Sequence, residues 1–260
     1  MSTKIQNAKR LYLEGIRDGN IQEALDKYTG DSYTQHSAGV GNNKEGFLKF
    51  FIPFIKRNPV RDIQIIRAFE DGQYVFVHVY QSLNNGEAKW VTADFFDTDA
   101  ADRMIEHWDA IQAYEEDTVS GRTMVDGPTE IEDLDKTEAN KEHIRKFVDE
   151  ILIGRNIENI TKYVSTEQYD QHNPKIGDGI EGLLEHIQKN IANNIKSGYK
   201  KLHLLVGQGN FVSILSHVIV NDVDFAFIDI FRLKDGLIVE HWDVQEKILP
   251  KNQWENSGKF

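Results

Sequence analysis

Residues 235–243, Asp-Gly-Leu-Ile-Val-Glu-His-Trp-Asp, contain the motif that organises the rest of the chain. The last four of these residues also occur at 106–109, again as Glu-His-Trp-Asp. On a β-strand alternate side chains point to the same face, so the histidine and the aspartate of each copy share one side of a sheet. Leu237 and Val239 lie on that side as well, which indicates a half-buried pair facing a pocket.

The whole chain repeats at a nearly constant offset. His107-Trp108-Asp109 returns 134 residues later, and Tyr33-Thr34-Gln35-His36 returns 136 residues later as Tyr169-Asp170-Gln171-His172. Landmarks in the same order at a constant spacing are the signature of a tandem duplication. The repeat predicts two domains at residues 1–116 and 137–260, joined by an exposed acidic linker at 117–136.

Each half has the same predicted order of elements. It begins with apolar residues at helical spacing, such as Leu11 and Ile16 or Ile144 and Phe147, which predict amphipathic helices. Four segments rich in β-branched and aromatic residues follow, separated by Asp-Gly and Asn-Gly turns. Three helices before an antiparallel meander predict an α+β fold in each domain.

Composition excludes several classes of function. The net charge of -12 disfavours nucleic acid, whose phosphates need clustered Lys and Arg. The chain has no Cys, and therefore no disulfide, thiolate metal site or cysteine nucleophile. Neither an apolar signal segment nor a membrane-length apolar stretch occurs, so we expect no membrane partner and a cytoplasmic location.

The Tyr-x-Gln-His element and the final Gly-x-Ile-x-Glu-His-Trp-Asp strand together resemble the SnoaL-like polyketide cyclase family, within the nuclear-transport-factor-2-like superfamily. The most specific matches are residues 235–243 and Gln171-His172-Asn173-Pro174. The resemblance implies a cystatin-like cone, in which helices close over a curved, mainly antiparallel sheet and leave a pocket. It also implies that the two copies pair through their sheets as a pseudo-dimer, while further oligomerisation stays open.

The aspartate of the His-x-Asp strand is the acid/base of an intramolecular aldol condensation in a SnoaL-like cyclase. Asp243 and Asp109 match that position, and burial raises the pKa of a carboxyl toward the useful range. The alternative is an aspartate that caps a turn or pairs with an arginine. His241 and His107 share its face, either to orient the aspartate or simply to bond a backbone group.

A second histidine comes from the Tyr-x-Gln-His element. The resemblance places His172 and His36 at the pocket mouth, facing the aspartate, where an imidazole could bind or protonate a substrate oxygen. The alternative is a histidine in a turn, since Asn-Pro is typical of turns. We expect the neighbouring side chains of this element to contact substrate: Tyr33, Tyr169 and Asn173.

Two further substrate-binding candidates are Asp229 and Arg232, and the register of the last hairpin decides which of them faces the pocket. A two-residue turn before the last strand would pair Asp229 with Trp242, away from the pocket, whereas a three-residue loop would pair it with Asp243. Arg232 would face the pocket with the two-residue turn and point away from it with the three-residue loop. Asp94 is the first-half counterpart of Asp229.

His172, His241 and Asp243 could approach a facial triad of metal ligands, and His36, His107 and Asp109 repeat this set. The sequence lacks compact ligand spacing such as His-x-x-x-His, and it has no glycine-rich phosphate loop or nucleotide motif. We therefore predict neither a metal nor a cofactor.

The leading hypothesis is a cofactor-independent enzyme of the SnoaL-like type, a cyclase or isomerase that acts on a small carbonyl compound by proton transfer, with Asp243 as base. Two alternatives remain at this stage. The domains could be non-catalytic modules that bind a small apolar ligand, with the first domain as a structural partner, or the first half could serve only as a scaffold.

Overall fold

The structure, a computed structural model, describes residues 2–260. Residues 2–113 together with Ile248–Phe260 make up the first unit, and Tyr114–Lys247 make up the second. Each unit combines helices with a five-stranded, mainly antiparallel sheet, which confirms the α+β prediction. No helix within residues 2–260 is long and apolar enough to cross a membrane. The pairing of the two copies through their sheets stays a prediction.

The first unit begins with helix α1 (Thr3–Arg10), which Ser2 caps through a hydrogen bond to the Ile5 N–H. The chain continues as a π-helix over Leu11–Arg17. Two more helices follow, α2 (Ile21–Tyr28) and α3 (Asn43–Arg57). The strands are β1 (Thr29–Gln35), β2 (Arg61–Asp71), β3 (Tyr74–Leu83), β4 (Ala88–Thr98) and β5 (Met104–Ala113).

The sheet of the first unit has the order β1-β5-β4-β3-β2, with β1 parallel to β5 and the other pairs antiparallel. Val75 and Val77 of β3 pack into the core formed with the helices. Because Val77 pairs with Asp94, and Asp94 with Asp109, the two aspartates lie on the same helix-covered face.

The second unit repeats this arrangement. Helix α4 (Thr137–Phe147) continues as a π-helix over Val148–Ile153, and a 3₁₀ helix (Ile157–Lys162) takes the place of α2. Helix α5 (Gly179–Ala192) corresponds to α3. The sheet order is β6-β10-β9-β8-β7, built from β6 (Asp170–Gln171), β7 (Ser197–Gln208), β8 (Phe211–Val220), β9 (Val223–Lys234) and β10 (Leu237–Lys247).

A β-bulge sets the register of the last hairpin. The turn has two residues, Asp235 and Gly236, both with positive φ. By itself this turn would place Asp229 on the wrong face, but the pairing shifts by one residue at Val239. Such a bulge puts two residues of one strand opposite one residue of its partner. Asp229 therefore pairs with Asp243, inside the helix-covered face.

Each unit also contains a close approach between two glycine backbones. The Cα of Gly46, in the first turn of α3, lies against Gly41, and a Cβ at position 46 would overlap the Gly41 backbone. Gly182 and Gly177 repeat this contact in the second unit. Any side chain at position 46 or 182 would push the helix away from the preceding loop.

The predicted linker is part of the second unit, which corrects the boundary at 117–136. Arg122, one of the two cations in this segment, donates hydrogen bonds to Asp178 and Asp170, and Met124 is only 1% exposed. The acidic composition predicted an exposed segment, but composition does not reveal these specific anchors.

The last residues correct the other boundary, because the 248–260 segment belongs to the first unit and not to the second domain. The side-chain amide of Asn256 donates to the carbonyl oxygens of Ser37 and Val40. Ser257 bonds Asn42 across the same contact. Each segment that follows a last strand is thus built into the unit of the other repeat.

Candidate functional site

Pairing between β4 and β5 brings two carboxylates and an imidazole together in the first unit. An extra residue in β5, Ile105, shifts the register as Val239 does in β10, and Asp94 pairs with Asp109. The Nε2 of His107 lies 2.8 Å from the Oδ1 of Asp94, and its Nδ1 lies 2.8 Å from a side-chain oxygen of Gln35. The side chains of Asp94, Asp109, His107 and Gln35 are all buried.

Asp94 is also bound from the helix side. The Tyr12 hydroxyl donates to its Oδ1 at 2.6 Å, and the Thr92 hydroxyl donates to its Oδ2 at 3.0 Å. Burial raises the pKa of Asp94, with help from the charge of Asp109, and outweighs the opposing hydrogen bonds from His107 and Tyr12.

Asp109 has the opposite electrostatic environment. The Lys259 ammonium lies 2.9 Å from its Oδ1, and both side chains are at most 5% exposed. Burial favours the neutral acid, but the charges of Lys259 and His107 and a hydrogen bond from Ser37 outweigh it and lower the pKa of Asp109. Asp109 is therefore a buried carboxylate that stays ionised at neutral pH.

A cavity of about 300 Å³ lies between the helices and the sheet of the first unit. Its walls are mostly apolar and include four phenylalanines of α3. His107 and Asp109 line it, and so does Tyr33, whose buried hydroxyl has no hydrogen-bond partner among residues 2–260. Burial and the charges of Asp94 and Asp109 raise the pKa of Tyr33 well above its usual value, so this hydroxyl keeps its proton.

The second unit contains the equivalent cluster of Asp229, His241 and Asp243. The Nε2 of His241 lies 3.1 Å from the Oδ1 of Asp229. Its Nδ1 lies 3.0 Å from the Oε1 of Gln171, which also accepts the backbone N–H of Asn173. A backbone N–H can only donate, so this amide oxygen is an acceptor and Nδ1 carries a proton.

These contacts favour a charged His241. Burial works against the charge, but the hydrogen bond to Asp229 and the charges of Asp243 and Asp229 outweigh it and raise the pKa of His241. The imidazolium then donates from both nitrogens.

Asp243 differs from Asp109 because no lysine bonds it among the described residues. The side-chain amide of Asn173 donates to its two oxygens at 3.0 and 2.7 Å, and that of Gln245 donates at 2.6 Å. Burial raises the pKa of Asp243, and the charge of Asp229 adds to this effect against the opposing charge of His241.

Two tyrosines complete the second cluster. The Tyr199 hydroxyl donates to both oxygens of Asp229 at 3.1 Å, and so takes the role that Tyr12 has in the first unit. Tyr169, the counterpart of Tyr33, accepts a hydrogen bond from the side-chain amide of Gln171 at 3.1 Å. Tyr33 and Tyr169 therefore differ in hydrogen bonding although their sequence contexts match.

The structure does not bring His172 to Asp243, contrary to the expected placement. His172 stacks on Trp242 on the opposite face of the sheet, and its Nε2 lies 2.9 Å from Glu240. Arg232 also bonds Glu240, at 2.6 Å, and lies outside the cluster because the register places Asp229 inside. The expected His172, His241 and Asp243 triad is therefore not formed.

His36 has the same position in the first unit. It stacks on Trp108 with ring centroids 5.0 Å apart, and its Nε2 lies 2.9 Å from Glu106. Its Nδ1 bonds the carbonyl oxygen of Gly258 at 2.6 Å. The physical reason is alternation along a strand: Tyr-x-Gln-His is partly extended, so Gln faces the cluster and His faces away.

Each Asp-His-Asp cluster places three potential metal ligands within 4.8 Å of one another. Both imidazole nitrogens of His107 and of His241 are already hydrogen-bonded, and the Lys259 ammonium lies against Asp109. We therefore describe the clusters as hydrogen-bonded networks and assign neither as a metal centre.

Comparison with known proteins gives matches among solved structures alone. No family model and no curated protein matches this chain. A candidate ketosteroid isomerase from Kribbella flavida is 16% identical, with a TM-score of 0.38 over 44% of this chain and 83% of its own. A candidate polyketide cyclase from Acidithiobacillus ferrooxidans is 21% identical, with a TM-score of 0.38 over 43% and 90%. An LEH-like epoxide hydrolase from M. tuberculosis is 15% identical, with a TM-score of 0.35 over 43% and 85%.

Sequence reasoning missed several residues that hold the clusters together. Gln35 and Gln171 had a usable signal, because each stands two residues after a tyrosine of the Tyr-x-Gln-His element and so shares its face. The others make contacts from distant elements, and no local pattern indicates them: Tyr12, Tyr199, Gln245 and Lys259.

Proposed function

We propose that this chain is a cofactor-independent acid/base enzyme of the SnoaL-like type, which acts on a small carbonyl compound by aldol condensation, cyclisation or isomerisation. One observation carries the proposal: in the first unit an apolar cavity is lined by a buried, ionised carboxylate and by a hydroxyl that has no hydrogen-bond partner among the described residues. Sites for small molecules commonly combine apolar walls with a few convergent polar groups.

The chemistry follows from the two groups at the cavity wall. Asp109 is ionised and can remove a proton from the carbon next to a carbonyl. Negative charge then develops on the carbonyl oxygen, and the protonated hydroxyl of Tyr33 can donate to it. His107, held between Asp94 and Gln35, orients this end of the cavity.

Asp243 is the second proposed base, and the one that the sequence favoured. Its raised pKa supports the proposal, because a base works best when its pKa approaches the working pH. Its neighbour His241 has a raised pKa, and its imidazolium form would stabilise an anionic intermediate. The proposal thus includes two candidate bases, Asp109 with a lowered pKa and Asp243 with a raised pKa. Because Asp109 lines the cavity, we favour it as the residue that contacts the ligand.

Solvent deuterium exchange into small ketones and 1,3-dicarbonyls tests this function. We expect exchange in the wild type, a loss of at least tenfold in Asp109→Asn and a similar loss in Tyr33→Phe. Asp243→Asn is the companion variant, which removes the second proposed base; because the cavity lies beside Asp109, we expect the larger loss in Asp109→Asn. Exchange lost in Asp243→Asn and kept in Asp109→Asn would move the chemistry to the second unit.

A binding module is the second candidate, and the Lys259–Asp109 ion pair favours it. A carboxylate neutralised by a lysine is a weaker base and can serve simply to fix the polar end of an apolar ligand. Ligand binding to the cavity without exchange at any pH would support this function over catalysis.

A further inference from the structure

The 248–260 segment buries Lys259 inside the first unit, and hydrogen bonds fix the backbone around it. The carbonyl oxygen of Gly258 bonds the His36 Nδ1 at 2.6 Å, and the next residue, Lys259, is 4% exposed. Its ammonium meets the Oδ1 of Asp109 at 2.9 Å. The hydrogen bonds of Asn256 to the loop before α3 fix the same stretch of backbone.

The ammonium is placed beside the cavity and not within its wall. Asp109 lines the cavity, whereas Lys259 is absent from the residues that line it in the described part of the chain. We propose that Lys259 is a positioning residue of the first unit, whose ammonium keeps the Asp109 carboxylate ionised and oriented toward the cavity. The inference deepens the proposed function and rests on it for the role of Asp109.

The second unit provides an internal comparison without a lysine. There the carbonyl oxygen of Thr123 bonds the His172 Nδ1 at 2.7 Å, as that of Gly258 does for His36, and the following residue is the buried Met124. Asp243 is bonded by neutral amides, and its pKa is raised where that of Asp109 is lowered.

Groups from every neighbouring element act on Asp109. Asp94 on β4 and burial oppose its charge, His107 on its own strand supports the charge, and the tyrosines Tyr12 and Tyr33 remain protonated. Since an opposite charge at this distance typically lowers a carboxyl pKa by about one to three pH units, loss of the lysine should raise the pKa of Asp109 by that amount.

Carboxyl-carbon NMR titration of the full chain tests the inference without a substrate, with Asp109→Asn identifying the resonance. We expect the pKa of Asp109 to rise by about one to three pH units in Lys259→Met and to stay low in Lys259→Arg. Lys251→Met is the matched control, because it removes an exposed lysine from the same segment. An unchanged Asp109 pKa in folded Lys259→Met would overturn the inference.

A second variant serves if Lys259→Met folds poorly, and the exchange assay then relates the pKa of Asp109 to activity. Lys259→Gln keeps a donor without the charge, so it should raise the Asp109 pKa while retaining the fold. In the exchange assay, the acid limb of the pH profile should move upward in Lys259→Gln by the same amount as the NMR pKa. A moved pKa without any exchange activity would preserve the electrostatic role and refute the proposed function, whereas an unmoved pKa in Lys259→Gln would refute the inference itself.

Discussion

Tyr33→Phe should stabilise the free protein while it impairs function. The Tyr33 hydroxyl is buried and unpartnered in the described chain, and a buried hydroxyl without a hydrogen bond costs about 1–3 kcal/mol. Water can enter a cavity of this size, so we take the lower end and expect a gain of about 1 kcal/mol. For a unit of this size that gain raises Tm by roughly 2–6 °C.

Tyr12→Phe is the matched control in the same cavity. Its hydroxyl donates to Asp94 at 2.6 Å, and a hydrogen bond to a charged group contributes about 1.5–3 kcal/mol, so this variant should lose stability. Thermal melting of both variants checks the contrast, and ligand binding or exchange should fall in Tyr33→Phe. A loss of stability in Tyr33→Phe as large as that in Tyr12→Phe would refute the reasoning, because it would mean that the Tyr33 hydroxyl is already satisfied.

The remaining predictions concern pH and packing. Because the folded pKa of Asp109 is lowered, its contribution to stability is present at neutral pH and is lost as pH falls through that pKa. Asp109→Asn should therefore lower the free energy of unfolding most at pH 7. We expect a loss of about 3–5 kcal/mol there, since the substitution leaves Lys259 buried without its partner. Asp243 has a raised pKa, so its contribution to stability is complete only at acid pH and declines as pH rises. Thermal melting from pH 3 to 8 should show the stability of the wild type, relative to Asp243→Asn, falling toward neutrality. The same dependence of Tm on pH in both proteins would contradict this. Gly46→Ala should lower the free energy of unfolding by about 2 kcal/mol, because a Cβ at this position overlaps the Gly41 backbone. An unchanged Tm, or an unchanged midpoint of urea unfolding, would count against that contact.

Local sequence patterns predicted what depends on local geometry. Residues two apart on a strand share a face, so the grouping of His107 with Asp109 required only alternation. The approach of Asp94 depended on register, and register depended on a bulge at Ile105. This isoleucine and its counterpart Val239 resemble ordinary strand residues, and their sequence carries no signal that one of them is unpaired.

Long-range contacts account for the rest. The family resemblance predicts His172 at the pocket mouth, facing the aspartate, whereas pairing of Gln171 with His241 makes the segment extended and turns His172 to the other face. Lys259 lies 150 residues from Asp109 along the chain, and no spacing rule connects a lysine to a carboxylate at that separation. Such contacts come from tertiary packing alone.

Residues 248–260 belong to the first unit although they follow the second unit along the chain, so the second unit can be completed first. The second unit is one continuous stretch and has all its residues once position 247 has been synthesised. The first unit is discontinuous and also needs residues 248–260, among them Lys259, which are synthesised after the whole of the second unit. Domains usually fold from the N-terminus during synthesis. Here residues 2–113 would leave the ribosome before the second unit but complete their own unit after it, and Asp109 would lack its Lys259 counter-charge until residues 248–260 have been made.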